Sequence, residues 1–136
     1  EDFLLPDGFH SWQPNVRLNS MMTPTMVLDK EHQFKYAGGS GGAGRIPYVI
    51  AQVIDNLFEQ NMSLQTATES GRLHVQDNLL HVEARAKFRS IPNGVELNQW
   101  DDQSLFFGGV HSIFHESGGG LNAQGDARRY GVGEVF

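Results

Sequence analysis

Seven residues, Gly38-Gly39-Ser40-Gly41-Gly42-Ala43-Gly44, stand directly before Arg45-Ile46-Pro47. Glycine lets a main chain turn sharply and lets a ligand approach where a Cβ would block it. If a helix begins after this run, its first N–H groups have no intrahelical acceptor and its dipole is positive there. Such a place can hold a phosphate, a carboxylate or the oxyanion of a tetrahedral intermediate. The backbone N–H groups of Gly42 and Ala43 are the candidate donors.

Other chemistries compete for these residues. Gly39, Gly41 and Gly44 match G-x-G-x-x-G, the dinucleotide fingerprint. The preceding strand, however, carries Lys35 and Tyr36, whereas a central parallel strand is almost wholly apolar. The acid expected roughly 20 residues on is also missing, because Gln60 to Thr66 contains none. A phosphate loop needs Lys-Ser/Thr after the last glycine, and Arg45 stands there. His111 and His115 are four apart and followed by Glu116. Flanking glycines leave no room for a helix, and on a strand these positions lie ~13 Å apart, too far for one ion. They read as surface histidines, as do His74 and His81 on their hairpin. Spacing alone names no nucleophile, and a plain turn accounts for the glycines as well as an oxyanion hole does.

The elements that must position the run are legible on both sides. Thr25 to Leu28 is β-branched and apolar, Asp29 to His32 is turn chemistry, and Gln33 to Ala37 returns as a second strand. After the glycines, Ile46, Val49, Ile50, Val53, Ile54, Leu57 and Phe58 fall on one helical face. Pro47 sits in the first turn, where its missing N–H costs nothing. Asn61 to Gly71 reads as a shorter helix, with Ser63 as N-cap and Gly71 as its stop. Leu73–Val75 and Leu79–Glu83 form a hairpin about Gln76-Asp77-Asn78. Val95–Trp100 and Gly108–His115 are strands, and Leu121–Ala123 returns after Ser117–Gly120. Two helices and five or six mostly hairpin-linked strands make an antiparallel α+β layer structure. Phe3, Leu4, Leu5, Phe9 and Trp12 are unusually apolar for the loop-like first 17 residues and should cover a core or a neighbour.

The totals bound the rest. The chain has 136 residues, enough for one domain or part of one. Its formal net charge of -6 and lack of a basic patch argue against nucleic acid. The absence of cysteine excludes disulfides and thiolate metal sites. No apolar run approaches the ~18 residues of a membrane span, no secretory signal is visible, and no cofactor is expected. The first residue is Glu1, so further chain upstream is expected.

Several stretches together resemble the γ-glutamyltranspeptidase family. Arg17 to Thr25 follows the family's Arg-Pro-Leu-Ser-Ser-Met-Ser/Thr-Pro-Thr without gaps, and Gly39 to Ile46 is similar to its Gly-Ser-Pro-Gly-Gly/Ser-x-Arg-Ile. Gly108 to His111 matches Gly-Gly-Val-His, Asp126 to Arg129 resembles Asp-Pro-Arg-Arg, and Glu1 to Phe3 resembles Asp-Asp-Phe. The likeness covers essentially the whole chain and is thinnest from Glu83 to Phe107.

The resemblance implies the C-terminal part of the small subunit of an N-terminal-nucleophile hydrolase, with a four-layer αββα fold and mostly antiparallel sheets. Residues 1–136 would be one partial domain. The precursor would cut itself and expose a threonine, upstream of this chain, that attacks γ-glutamyl amides and passes the acyl group to water or an amino acid. The expected partners are the large subunit, the remainder of the small subunit and a γ-glutamyl substrate. Asp2 maps to the residue that binds the substrate ammonium. Ser20 maps to the first of two serines that hold its carboxylate, and Met21, which cannot donate, to the second. Gly42 and Ala43 map to the oxyanion donors. The segment between Phe3 and Arg17 is shorter than in the family. Met21 leaves room for a sister acylase acting on another amide, and a degenerate non-catalytic binder is the remaining alternative. Family habit implies a periplasmic or secreted protein.

Overall fold

The structure, a computed structural model, describes residues 14–17 and 20–136. Strand β1 (Thr25–Leu28) and strand β2 (Phe34–Gly41) form an antiparallel pair. The turn between them is closed by the Asp29 carboxylate, which accepts from Glu31 N–H at 3.0 Å and Gln33 N–H at 2.8 Å. β2 is longer than the sequence reading expected. It continues through Gly38, Gly39, Ser40 and Gly41 because a later strand pairs with all four, Gly38 opposite Ser112 through Gly41 opposite Gly109. Most of the glycine loop is therefore strand, and the chain leaves the sheet only at Gly42.

Helix α1 (Ile46–Phe58) follows with Pro47 in its first turn. Ile46, Val49, Ile50, Val53 and Leu57 are buried, and Ile54 and Phe58 pack at the edge of the same cluster. Burying each such side chain contributes about 1.5–3 kcal/mol. Helix α2 (Leu64–Glu69) is capped as expected, the Ser63 hydroxyl accepting from Thr66 N–H at 3.2 Å. The helix ends at Glu69 with Ser70 as its C-cap, so Gly71 stands just past the end, without a positive φ. Gly71 is needed for a different reason, because a Cβ there would collide with the main chain of Ala84 and Ala86.

Strands β3 (Leu73–Gln76) and β4 (Leu79–Val82) make the expected hairpin. Asp77 and Asn78 carry its turn with φ of 51° and 60°. Strand β5 (Glu96–Gln99) joins β4 in parallel, not antiparallel, because residues 83–95 carry the chain back before it enters the sheet. Strands β6 (Gly109–His115) and β7 (Leu121–Gln124) complete a four-stranded sheet ordered β1-β2-β6-β7, all antiparallel. The described residues thus hold two α-helices and seven strands, and the α+β reading stands.

Pairing assigns the faces of that sheet. Val27, Tyr36 and Phe114 lie in one cross-strand row and pack against α1, with Tyr36 fully buried. Met26, Ala37, Ile113 and Ala123 lie in the neighbouring row on the other face, where Met26 is 64% and Ile113 41% exposed. No helix among the described residues is long and apolar enough to cross a membrane.

Candidate active site

The turn that leaves β2 is fixed from several sides. Gly42 has φ 137°, a value L-residues rarely adopt, and a Cβ there would lie 3.2 Å from the Gly108 Cα. Ala43 has φ 52°, in the left-handed region, where a side chain is tolerated at some cost. Arg45 N–H donates to the Gly42 carbonyl at 3.1 Å, so residues Ala43–Arg45 form one 3-10 turn that runs straight into α1. The Ser40 hydroxyl donates to the Gly41 carbonyl at 2.9 Å and accepts from Gly109 N–H at 3.2 Å, tying β2 to β6 just before the turn. Among the described residues, neither the Gly42 N–H nor the Ala43 N–H has a hydrogen-bond partner. Two adjacent backbone donors on a fixed turn, one of them exposed, can receive a negatively charged oxygen.

Ser20 and Met21 belong to the segment that leads into β1. Thr25 opposes Gly38, so this segment approaches along β2 from the direction of Gly42. The Ser20 hydroxyl accepts from Met22 N–H at 3.1 Å, which leaves its proton available to a ligand. Met21 is half-buried and its side chain packs against the core under α1. Asp2 lies outside the described residues, as do Phe3, Leu4, Leu5, Phe9 and Trp12.

The dinucleotide fingerprint is excluded by topology. Gly39 and Gly41 sit inside a strand that is antiparallel to both neighbours, not at the end of a parallel strand. His111 and His115 both lie on β6, as their spacing required. The reading of His74 as a surface residue is corrected: it is 7% exposed, packed edge-on against Tyr48 and Phe106. Burial, and secondarily the nearby Arg45 charge, pushes the His74 imidazole below its ordinary range. The half-buried His81 is lowered for the same two reasons. His74 lies opposite His81, on the hairpin face away from the buried Leu80 and Val82, so alternation gave no sign of its burial; Phe106, from a distant segment, closes over both rings.

Sequence reasoning also missed a buried ionic cluster. The Arg72 guanidinium pairs with Asp126 at 2.5 Å, and Arg128 pairs with Glu83 at 2.6 Å and with Asp126 at 3.2 Å. All four side chains are buried. Burial alone would raise the Asp126 carboxyl, but Arg72, the N–H groups of Val110 and Arg128, and the Arg128 charge together hold it below its usual range. The Asp126–Arg129 motif is thus a cross-link to α2 at Thr68, to Glu83 just after β4, and to β6 at Val110. Arg129 does not join the cluster; its stem lies against Gly109 and its guanidinium against Gly41, so a Cβ at either would crowd it.

The γ-glutamyltranspeptidase family model matches residues 1–136. The chain is 28% identical over 131 residues to the capsule biosynthesis protein CapD proenzyme of Bacillus anthracis, covering 93% of this chain and 24% of that protein. It is 34% identical over 122 residues to glutathione hydrolase 3 of Arabidopsis thaliana, covering 88% of this chain and 18% of that protein. The chain therefore spans a quarter or less of the length of these relatives. A solved γ-glutamyltranspeptidase from Pseudomonas nitroreducens, complexed with L-DON, superposes with TM-score 0.73 at 26% identity, over 92% of this chain and 67% of that one. The Bacillus anthracis CapD structure superposes with TM-score 0.72 at 22% identity, over 98% and 87%, and shares the fold. With the family model matching it from residue 1 to residue 136, the chain belongs to the γ-glutamyltranspeptidase family.

Proposed function

We propose that residues 1–136 are the C-terminal part of the small subunit of a self-cleaving enzyme that hydrolyses or transfers γ-glutamyl groups. The observation that carries this reading is the pair of N–H groups at Gly42 and Ala43, without partners among the described residues, on a turn held in place by its neighbours. In the complete protein, an upstream threonine hydroxyl would attack the γ-carbonyl carbon. The carbonyl π pair moves onto oxygen, and the hydroxyl proton goes to the threonine α-amino group. The two N–H groups would receive that oxygen; a donor of this kind is typically worth on the order of 10²–10³ in rate. The nitrogen leaves with the proton, and water or an amino acid then takes the acyl group. Ser20, free to donate, would hold the substrate carboxylate, and Asp2 its ammonium. The large subunit and the rest of the small subunit would supply the remaining walls of the site.

A second reading is favoured by Met21. Its side chain is committed to the core, so a carboxylate bound by Ser20 would lack a second hydroxyl donor there. That suits a sister acylase whose substrate carries a different group at this position. The test uses the complete precursor, followed on a denaturing gel for self-cleavage and by chromophore release from a γ-glutamyl anilide. Cleavage with turnover supports the γ-glutamyl reading. Cleavage without turnover, and with release from an acylated side-chain substrate, supports the acylase. An uncut, inactive precursor contradicts both.

A further inference from the structure

We infer that Arg45 is a positioning residue for the oxyanion turn, acting through Phe106; this rests on the oxyanion reading of Gly42 and Ala43. Arg45 closes that turn with its own main chain, its N–H bonding the Gly42 carbonyl. Its side chain then reaches sixty-one residues along the sequence. The Arg45 Nε donates to the Phe106 carbonyl at 2.6 Å, and the guanidinium carbon stands 4.3 Å from the centre of the Phe106 ring. Phe106 is itself immobilised between His81, Trp100 and Phe107, with ring centres 4.6, 5.0 and 5.1 Å away. Two residues on, Gly108 carries the Cα against which Gly42 packs, and Gly109 opposes Gly41. The Arg45 side chain thus adds a tie, beside that of the Ser40 hydroxyl, between the turn and the segment it rests on. No carboxylate among the described residues pairs with Arg45, so the group is not explained as half of a salt bridge. A guanidinium can donate in its plane and stack on its face at once, which an ammonium cannot.

The experiment uses the complete precursor carrying Arg45→Lys, Arg45→Gln or Phe106→Leu. Each is assayed for kcat and KM on a γ-glutamyl anilide, for thermal midpoint, and for affinity toward a γ-glutamyl-like boronate that forms a tetrahedral adduct. Arg45→Gln is expected to lower kcat and boronate affinity in parallel, by roughly 10–100-fold, part of the value of an oxyanion donor, with KM nearly unchanged. Lysine should not rescue it. The Arg45→Gln/Phe106→Leu double variant should lose no more than the worse single variant, because both cut one linkage. Unchanged kcat and boronate affinity, even with a lowered thermal midpoint, would reduce Arg45 to a packing residue and overturn the inference. A raised KM with unchanged kcat would make it a substrate contact and overturn it equally. Should Arg45→Gln fail to fold, Arg45→Lys, which keeps the charge but loses the planar donor that bonds the Phe106 carbonyl while stacking on its ring, decides the matter by the same readouts. A wild-type precursor that cleaves itself but turns over neither γ-glutamyl nor acylase substrates defeats the underlying reading; normal wild-type turnover with insensitive variants defeats this inference alone.

Discussion

The turn at Gly42–Ala43 and the cluster at Asp126–Arg128 are built from equally short motifs and treat polar groups in opposite ways. At the cluster, the Asp126 carboxylate accepts from Arg72, Val110 N–H and Arg128, and Glu83 takes Arg128 and two main-chain N–H groups. At the turn, two adjacent N–H groups are without partners among the described residues although the surrounding main chain is fixed. A buried network whose carboxylates are all engaged holds segments together, even with the Arg72 Nε left without a partner among the described residues; rigid backbone donors on an open turn are prepared for an oxygen that arrives later. The two regions should therefore fail differently when altered.

The largest effect is expected at the cluster. Asp126→Asn leaves two buried guanidinium groups short of charge and should cost about 3–5 kcal/mol of stability, read as a steep fall in thermal midpoint and soluble yield of the precursor. Because the native Asp126 carboxyl is held below its ordinary range, the unfolded chain takes up the proton first as pH falls. Its stabilisation is full above the ordinary carboxylate range and is lost as pH drops through the lowered value. A midpoint insensitive to the substitution would break the contrast. At the turn, Gly42→Ala should act mainly on rate: with φ 137° and a Cβ 3.2 Å from Gly108, the donors shift, and kcat should fall on the order of 10²-fold, while the backbone strain of about 1–3 kcal/mol lowers the thermal midpoint less than Asp126→Asn does.

Met21 sharpens the boundary between the two behaviours. Met21→Ser should cost roughly 1–2 kcal/mol through lost apolar contact, visible as a lower thermal midpoint without a lower KM. A lower KM at unchanged stability would put the side chain at the substrate instead. The smallest effect concerns His74 and His81, whose protonation is disfavoured by burial and by Arg45. Arg45→Gln should raise both midpoints, as followed by histidine ring resonances. Wild-type stability should decline as pH falls below ~6.5, where the unfolded chain binds protons that buried His74 refuses, so the unfolded state gains. Unmoved midpoints would separate Arg45 from the histidine cluster.

Local periodicity made much of this fold legible. The apolar positions of α1 and the alternation around Asp77-Asn78 specify their elements almost residue by residue. The glycine run misled because propensity gives glycine to loops, whereas pairing with β6 draws Gly38–Gly41 into the sheet. The parallel entry of β5 was hidden for a similar reason: strand direction depends on the path of residues 83–95, which has no periodic signal. The site was legible only where local chemistry sufficed. Gly42 and Ala43 could be singled out, but Arg72, Glu83 and the reach of Arg45 to Phe106 are long-range contacts that no spacing announces.

The most direct measurement is a crystal structure of the complete, self-cleaved protein bearing a γ-glutamyl-like boronate adduct on its nucleophile. One boronate oxygen is expected about 2.7–3.1 Å from both the Gly42 and the Ala43 nitrogen. An adduct oxygen held by other groups, with those two N–H groups facing solvent, would contradict it.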